Sequence, residues 1–168
     1  KQNLKRVAVI TMARNDKFFL SRWIKYYGEQ FGSENLYIYL DGLDNTVPKN
    51  ADKAHITKLP HHDMSRSDGD KYRIGLMSDL ANKLLNEYDI VIGCDCDEFL
   101  IVDPALNKTL SQYLSETKIN TTVSGLGLDV GQHLKYEKTL NQSEPFLTQR
   151  SYALLSTRYT KPVVINRP

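Results

Sequence analysis

Asp95, Asp97 and Glu98 close the stretch of the chain in which residue type and spacing promise the most chemistry. They follow Asp89 to Cys94, an apolar run too short for a helix and rich in β-branched residues, which predicts a buried strand. If the strand continues through the acids, Asp95 and Asp97 point to one face and Cys94 and Cys96 to the other. Two carboxylates so close repel, and burying them unpaired is costly. A divalent cation removes that penalty, and oxygen ligands suit hard ions such as Mg²⁺ or Mn²⁺. In open α/β sheets, ligands gather at the carboxyl ends of strands, where these acids fall. A solvated acidic turn is the plainer alternative, since Asp-x-Asp arises often by chance. A second cluster, His61, His62 and Asp63, has metal-ligand residue types but no partner motif, and reads as solvated loop.

The elements that must position these residues follow from periodicity. Val7 to Met12 predicts a short buried strand, followed by Ala13, Arg14, Asn15 and Asp16. Phe19, Leu20, Trp23, Ile24, Tyr27 and Phe31 then lie on one helical face, which Gly32 terminates. Leu36 to Leu40 predicts a second strand, closed by Asp41 and Gly42. Strand, helix and strand in that order make a βαβ unit with a parallel pair. Ala54 to Leu59 predicts a third strand, stopped by Pro60. A helix is expected from about Tyr72 to Glu87, with Leu76, Met77, Leu80, Ala81, Leu84 and Leu85 facing the core. It leads into the acidic strand as a further crossover unit. Beyond Asp103 and Pro104, Leu110 to Leu114 supports a short helix and Thr121 to Gly125 has strand composition. The run from Gly125 to Gly131 lacks a phosphate-loop pattern and reads as a flexible loop lining a cleft. Ser151 to Leu155 and Pro162 to Ile165 read as late strands.

With 168 residues, the chain has the size of one domain with a real core. Its net charge of +2 is too weak to argue for nucleic acid or an anionic membrane. No apolar run approaches the ~20 residues of a membrane span. The two cysteines stand two positions apart, poor geometry for a bridge, so a reducing compartment, the cytoplasm, is expected. Against it stand sequons at Asn107, Asn120 and Asn141, which an Asn-rich chain produces easily.

The ordered set resembles a known family. Ala13, Arg14, Asn15 and Asp16 follow a first strand; Phe19, Leu20, Trp23, Ile24, Tyr27 and Gly32 follow them. A strand ending at Asp41, a helix carrying Tyr72 and Arg73, and Asp95, Asp97 and Glu98 complete it. This is similar to GT-A fold glycosyltransferases of the family-2-like branch, from about Val7 to Val102. The resemblance implies an α/β fold with a Rossmann-like, mostly parallel or mixed sheet flanked by helices, spanning 1–168 as one domain. About 7–102 would be the nucleotide-binding half and 103–168 an acceptor-side part, truncated at its C-terminal end within a longer protein. It implies a nucleotide-sugar donor, UDP-linked, a saccharide or glycoconjugate acceptor, and Mn²⁺ or Mg²⁺. Carried over by position, Ala13, Arg14 and Asn15 would line the nucleotide, Asp41 would contact the base, and Arg73 would sit near the uridine or diphosphate. Asp95 would approach the ribose, and Asp95 and Asp97 would hold the metal that bridges the diphosphate.

Transfer to a hydroxyl also needs a base. Asp129, Glu137 and His133 are the candidates downstream, none within a recognisable motif; Asp129 is the choice. A nucleotide-sugar-binding domain or fragment without turnover is the leading alternative. A haloacid-dehalogenase-type phosphatase is disfavoured, because its motif stands near the N-terminus and continues with Gly-Thr or Gly-Val, where this chain has Glu98 and Phe99. A sugar nucleotidyltransferase would carry a Gly-rich loop after the first strand, where this chain has Arg14, Asn15 and Asp16.

Overall fold

The computed structural model describes residues 3–166. β1 (Val7–Ala13) is buried at every position, as a strand covered on both faces must be. α1 (Lys17–Phe31) starts at Asp16, whose Oδ1 accepts the Phe19 N–H at 3.0 Å. It ends at Gly32, whose φ of 92° an L side chain rarely adopts and whose N–H reaches the Gly28 carbonyl at 2.9 Å. β2 (Leu36–Asp41) alternates, with Leu36, Ile38 and Leu40 buried. β3 (His55–Leu59) is largely exposed, as suits the edge of a sheet.

α2 (Arg66–Leu84) begins six residues before the expected Tyr72 and stops short of Glu87. Ser65 sets the start: its hydroxyl accepts the Asp68 N–H at 3.2 Å. The first turns are exposed and polar, so apolar periodicity cannot mark them. β4 (Ile90–Gly93) also ends earlier than expected. Past Gly93 the chain turns, with the Glu98 N–H donating to the Asp95 carbonyl at 3.0 Å. Asp95 and Asp97 therefore stand in a turn beyond the strand, which corrects the expectation that they lie on it. The alternation survives the correction, since Cys94 and Cys96 are buried while Asp95 is half-buried and Asp97 exposed.

α3 (Leu110–Glu116) opens with a reciprocal cap between Thr109 and Gln112. β5 (Thr122–Ser124), β6 (Leu128–Gly131), β7 (Tyr152–Leu155) and β8 (Pro162–Asn166) complete the chain. The run expected as a flexible Gly-rich loop thus contains a strand: β6 pairs antiparallel with β7, Leu128 opposite Leu155 and Gly131 opposite Tyr152. Its residues were short of the apolar alternation that betrays a strand, and its ladder depends on a partner more than twenty residues away.

The main sheet has the order β3-β2-β1-β4-β8-β5. The first four strands are mutually parallel and β8 runs antiparallel to β4. This is an α/β fold with a mixed six-stranded sheet flanked by helices, compatible with a Rossmann-like arrangement. Leu20, Trp23, Ile24 and Tyr27 of α1 pack with Val7, Val9, Leu36, Ile38, Leu40, Ile90 and Ile92. Ala81 and Leu84 of α2 pack with Ala8, Ile10 and Val91 on the opposite face. Full burial of a side chain such as Leu20 or Ile24 is worth roughly 1.5–3 kcal/mol. By contacts the chain divides into two compact units, one running to Val123 and resuming at Val163, the other Ser124–Pro162.

Candidate functional site

The strand order reverses between β1 and β4. From β1 the chain crosses by α1 to β2 and on to β3, then returns by α2 to β4 on the other side of β1. With α1 and α2 on opposite faces, the carboxyl ends of β1 and β4 mark the switch point where open α/β sheets bind ligands. Arg14 and Asn15 leave β1 there, and Asp95, Cys96 and Asp97 leave β4.

The turn after β2 is stitched to the end of β1. Buried Asn45 accepts the Asn15 N–H at 2.8 Å and donates from Nδ2 to the carbonyls of Asp41 at 2.8 Å and Gly42 at 2.9 Å. Asn15 has a left-handed φ of 51°, which asparagine tolerates better than most residues. Arg14 Nη1 donates to the Asp41 carbonyl at 2.5 Å and lies 3.6 Å from Asp44 Oδ1. Ala13, Asn15, Asp16, Lys17, Leu40 and Asn45 line a cleft of about 110 Å³ at this edge. A larger depression of about 340 Å³ lies along α1, against Lys25, Glu29 and Asn50, and includes none of the candidate residues. The smaller one sits where β1 and β2 end and takes in Ala13 and Asn15, while Asp41, Arg73, Asp95 and Asp97 lie outside its lining.

Arg73, on the third turn of α2, pairs with the Asp95 carboxylate. Both side chains are more than a third exposed, so the pair adds little to stability. The Asp95 N–H donates to Glu98 Oε2 at 3.3 Å. α1 anchors the same turn from behind: the Tyr27 hydroxyl donates to the Glu98 carbonyl at 3.2 Å and accepts the Leu100 N–H at 2.9 Å, and Tyr26 donates to the Leu100 carbonyl at 2.5 Å. Burial pushes the Tyr27 phenol well above its ordinary range. Cys94 sits between the Trp23 indole N–H and the Tyr27 hydroxyl, 3.5 Å from each. Burial, with the negative charges of Asp16 and Asp97 nearby, pushes the Cys96 thiol up to about 12. Neither cysteine forms a disulfide.

No protein-family model matches the chain, and no curated protein matches it. The site therefore rests on its own geometry.

That geometry gathers Ala13, Arg14, Asn15, Asp41, Arg73, Asp95 and Asp97 within one unit, along one edge of the sheet. Asp129 lies in the other unit, exposed on β6 opposite Leu154. Glu137 is committed to the loop that carries it: its carboxylate accepts the N–H groups of His133 at 2.7 Å and Ser151 at 2.6 Å. Those bonds hold its carboxyl below the ordinary value. The His133 ring stacks obliquely on Tyr136 and Tyr152.

Among the described residues, no group of three or more His, Cys, Asp or Glu side chains is arranged to hold a metal ion. Mg²⁺ in phosphate-binding sites takes one or two carboxylates and completes its shell with substrate phosphates and water. Asp95 and Asp97 supply that number, and Asp97 is exposed to a ligand. In residue type and number the two carboxylates suit such an ion, and the Asp95 carboxylate already carries the Arg73 cation.

Two site residues escaped sequence reasoning. Asn45 stood in a polar loop, and only its position four residues after the strand end at Asp41 hinted at a turn-closing amide. His61, read as solvated loop, has Nδ1 3.0 Å from both Asp41 carboxylate oxygens.

Proposed function

We propose that this chain is a GT-A-type glycosyltransferase that moves a sugar from a nucleotide-sugar donor, UDP-linked, to a saccharide-like acceptor. The observation that carries the reading is the meeting of Arg73 with Asp95, next to Asp97, at the switch point of the mixed sheet. A cation and paired carboxylates there suit a diphosphate and its metal.

In this reading the acceptor hydroxyl oxygen attacks the anomeric carbon. The bond from that carbon to the diphosphate oxygen breaks, and the nucleoside diphosphate leaves with the electron pair. The hydroxyl proton passes to a base, for which Asp129 is our candidate. Arg73 offsets negative charge that grows on the leaving group, where such stabilisation accelerates reaction. Asp95 and Asp97 would hold Mn²⁺ or Mg²⁺, which when bound supplies Lewis-acid neutralisation of the diphosphate. Ala13, Asn15 and Asp41 orient the nucleoside. The reading includes a reducing, cytoplasmic setting, in keeping with two cysteines outside any disulfide. No helix among the described residues is long and apolar enough to cross a membrane.

A domain that binds nucleotide sugar without turnover is the second reading. It is favoured by Glu137, a candidate base already engaged by two backbone N–H groups. One experiment separates these. Titration calorimetry with UDP in Mn²⁺ tests the site, and donor turnover with saccharide acceptors, in wild type and Asp129→Asn, tests the chemistry. No UDP binding in Mn²⁺ would sink both readings; binding without turnover would leave the second.

A further inference from the structure

Asp41 is held from three sides at the carboxyl edge of the sheet. Its carbonyl accepts Arg14 from the end of β1 and Asn45 from the turn that follows β2. Its carboxylate faces His61, from the loop after β3, with Nδ1 3.0 Å from Oδ1 and 3.0 Å from Oδ2. A carboxylate only accepts hydrogen bonds, so the proton sits on Nδ1 and is shared between the two oxygens. The other ring nitrogen lies 3.5 Å from Asp63 Oδ1. Asp63 is fully exposed, so it is the bond to Asp41 that orients the ring.

Each Asp41 oxygen keeps acceptor capacity that His61 does not use. The side chain is 23% exposed, so that capacity is open to a ligand. Asp41 is thus bonded through both its carbonyl and its carboxylate, and such preorganisation lowers the cost of binding. A fixed carboxylate rewards a ligand N–H and penalises a ligand lone pair. A site built to hydrogen-bond one polar edge rejects the analogue that lacks it.

We infer that His61 is a positioning residue for base specificity: it holds Asp41 as an oriented acceptor that takes a ring N–H, as in uracil, and repels a ring nitrogen lone pair, as in cytosine. The inference rests on the nucleotide reading above. His61 acts through Asp41 and touches no reacting atom.

UDP and CDP differ at that edge and share everything else. Titration calorimetry with each, in Mn²⁺, on the wild type, His61→Ala and His61→Asn tests the assignment. The wild type prefers UDP by about tenfold or more. His61→Ala brings the ratio close to one by weakening UDP alone, whereas a merely structural role would weaken both nucleotides together. His61→Asn, which offers an amide N–H near the Nδ1 position, keeps the preference. An unchanged UDP-to-CDP ratio in His61→Ala overturns the inference and leaves the nucleotide site standing. So does equal binding of the two by the wild type, or loss of preference in a His61→Asn protein that melts like the wild type. Absence of UDP binding by the wild type overturns the nucleotide reading, and this inference with it.

Discussion

Arg73 on α2 and Asp95 in the turn after β4 form an ion pair at the carboxyl edge of the sheet. The pair joins α2 to the turn after β4, the two elements on which the proposed diphosphate site depends. Both side chains are partly exposed, and exposed pairs are worth about 0–1 kcal/mol. Charge placed at so little gain in stability suits a ligand that can exchange with it.

Arg73→Gln should therefore leave the denaturation midpoint nearly unchanged and weaken UDP binding at least tenfold, about 1.4 kcal/mol. Asp97→Asn should remove the part of UDP affinity that depends on Mn²⁺, with the fold intact. Calorimetry in EDTA and in Mn²⁺ checks both. Equal affinity for UDP in the two buffers would count against the metal, and a large stability loss in Arg73→Gln would make that residue structural.

Gly42 should tolerate no side chain. Its φ is 120°, a conformation that strains L residues by about 1–3 kcal/mol. A methyl group there would sit 2.9 Å from Asn45 Nδ2, and closer still to Arg14 and Asp44. Gly42→Ala should lower stability by about that strain and disturb the Arg14 and Asn45 bonds to the Asp41 carbonyl. Urea unfolding gives the first; a drop in UDP affinity beyond that of a surface control gives the second. A wild-type midpoint in Gly42→Ala would refute the strain argument.

Much of this was visible in the order of residues. The helical spacing of Leu20, Trp23, Ile24 and Tyr27 marked the buried face of α1, and the β-branched run at Ile90 to Ile92 marked β4. What escaped were features made by polar partners distant in sequence. The start of α2 depends on one serine hydroxyl; its apolar stripe begins later. The end of β4 depends on where the chain turns, and acids beyond a strand look the same as acids on it. Asn45 and His61 gained roles only when β1, β2 and β3 were aligned in space, since each acts on Asp41 or its neighbours. β6 carries too little apolar alternation to be recognised apart from β7.

Cys94 and Cys96 should resist alkylation in the native protein and take two labels once it is unfolded, because both are buried and neither is in a disulfide. The Cys96 thiol is raised from 9.0 to about 12 by burial and neighbouring carboxylates. A raised folded-state value contributes stability that is fully present below 9.0 and is lost as pH climbs towards about 12. The buried phenols of Tyr27 and Tyr88, raised above 10.0, act with the same sign. Urea midpoints should fall as pH rises past 9.0, and less steeply in Cys96→Ala. Stability that grows with pH in that window would contradict the burial of these groups.

Tyr27 serves two masters, and removing its hydroxyl should separate them. The ring is fully buried against Trp23 and the sheet, at 0% exposure, so Tyr27→Phe keeps the packing. The hydroxyl is what ties α1 to the acid-bearing turn, donating to the Glu98 carbonyl and accepting the Leu100 N–H. Without it, both backbone groups lose a partner in a half-buried place, which costs about 1–3 kcal/mol. The loss falls on the segment that presents Asp95 and Asp97, so the turn should open more often than the sheet beneath it. Hydrogen exchange should accelerate at the Leu100 amide and stay slow in β1 and β4. UDP affinity in Mn²⁺ should fall as well, since carboxylates on a loosened turn must be ordered before they bind. Faster exchange throughout the sheet would assign the hydroxyl to global stability, and unchanged exchange at Leu100 would show that the turn is held without it.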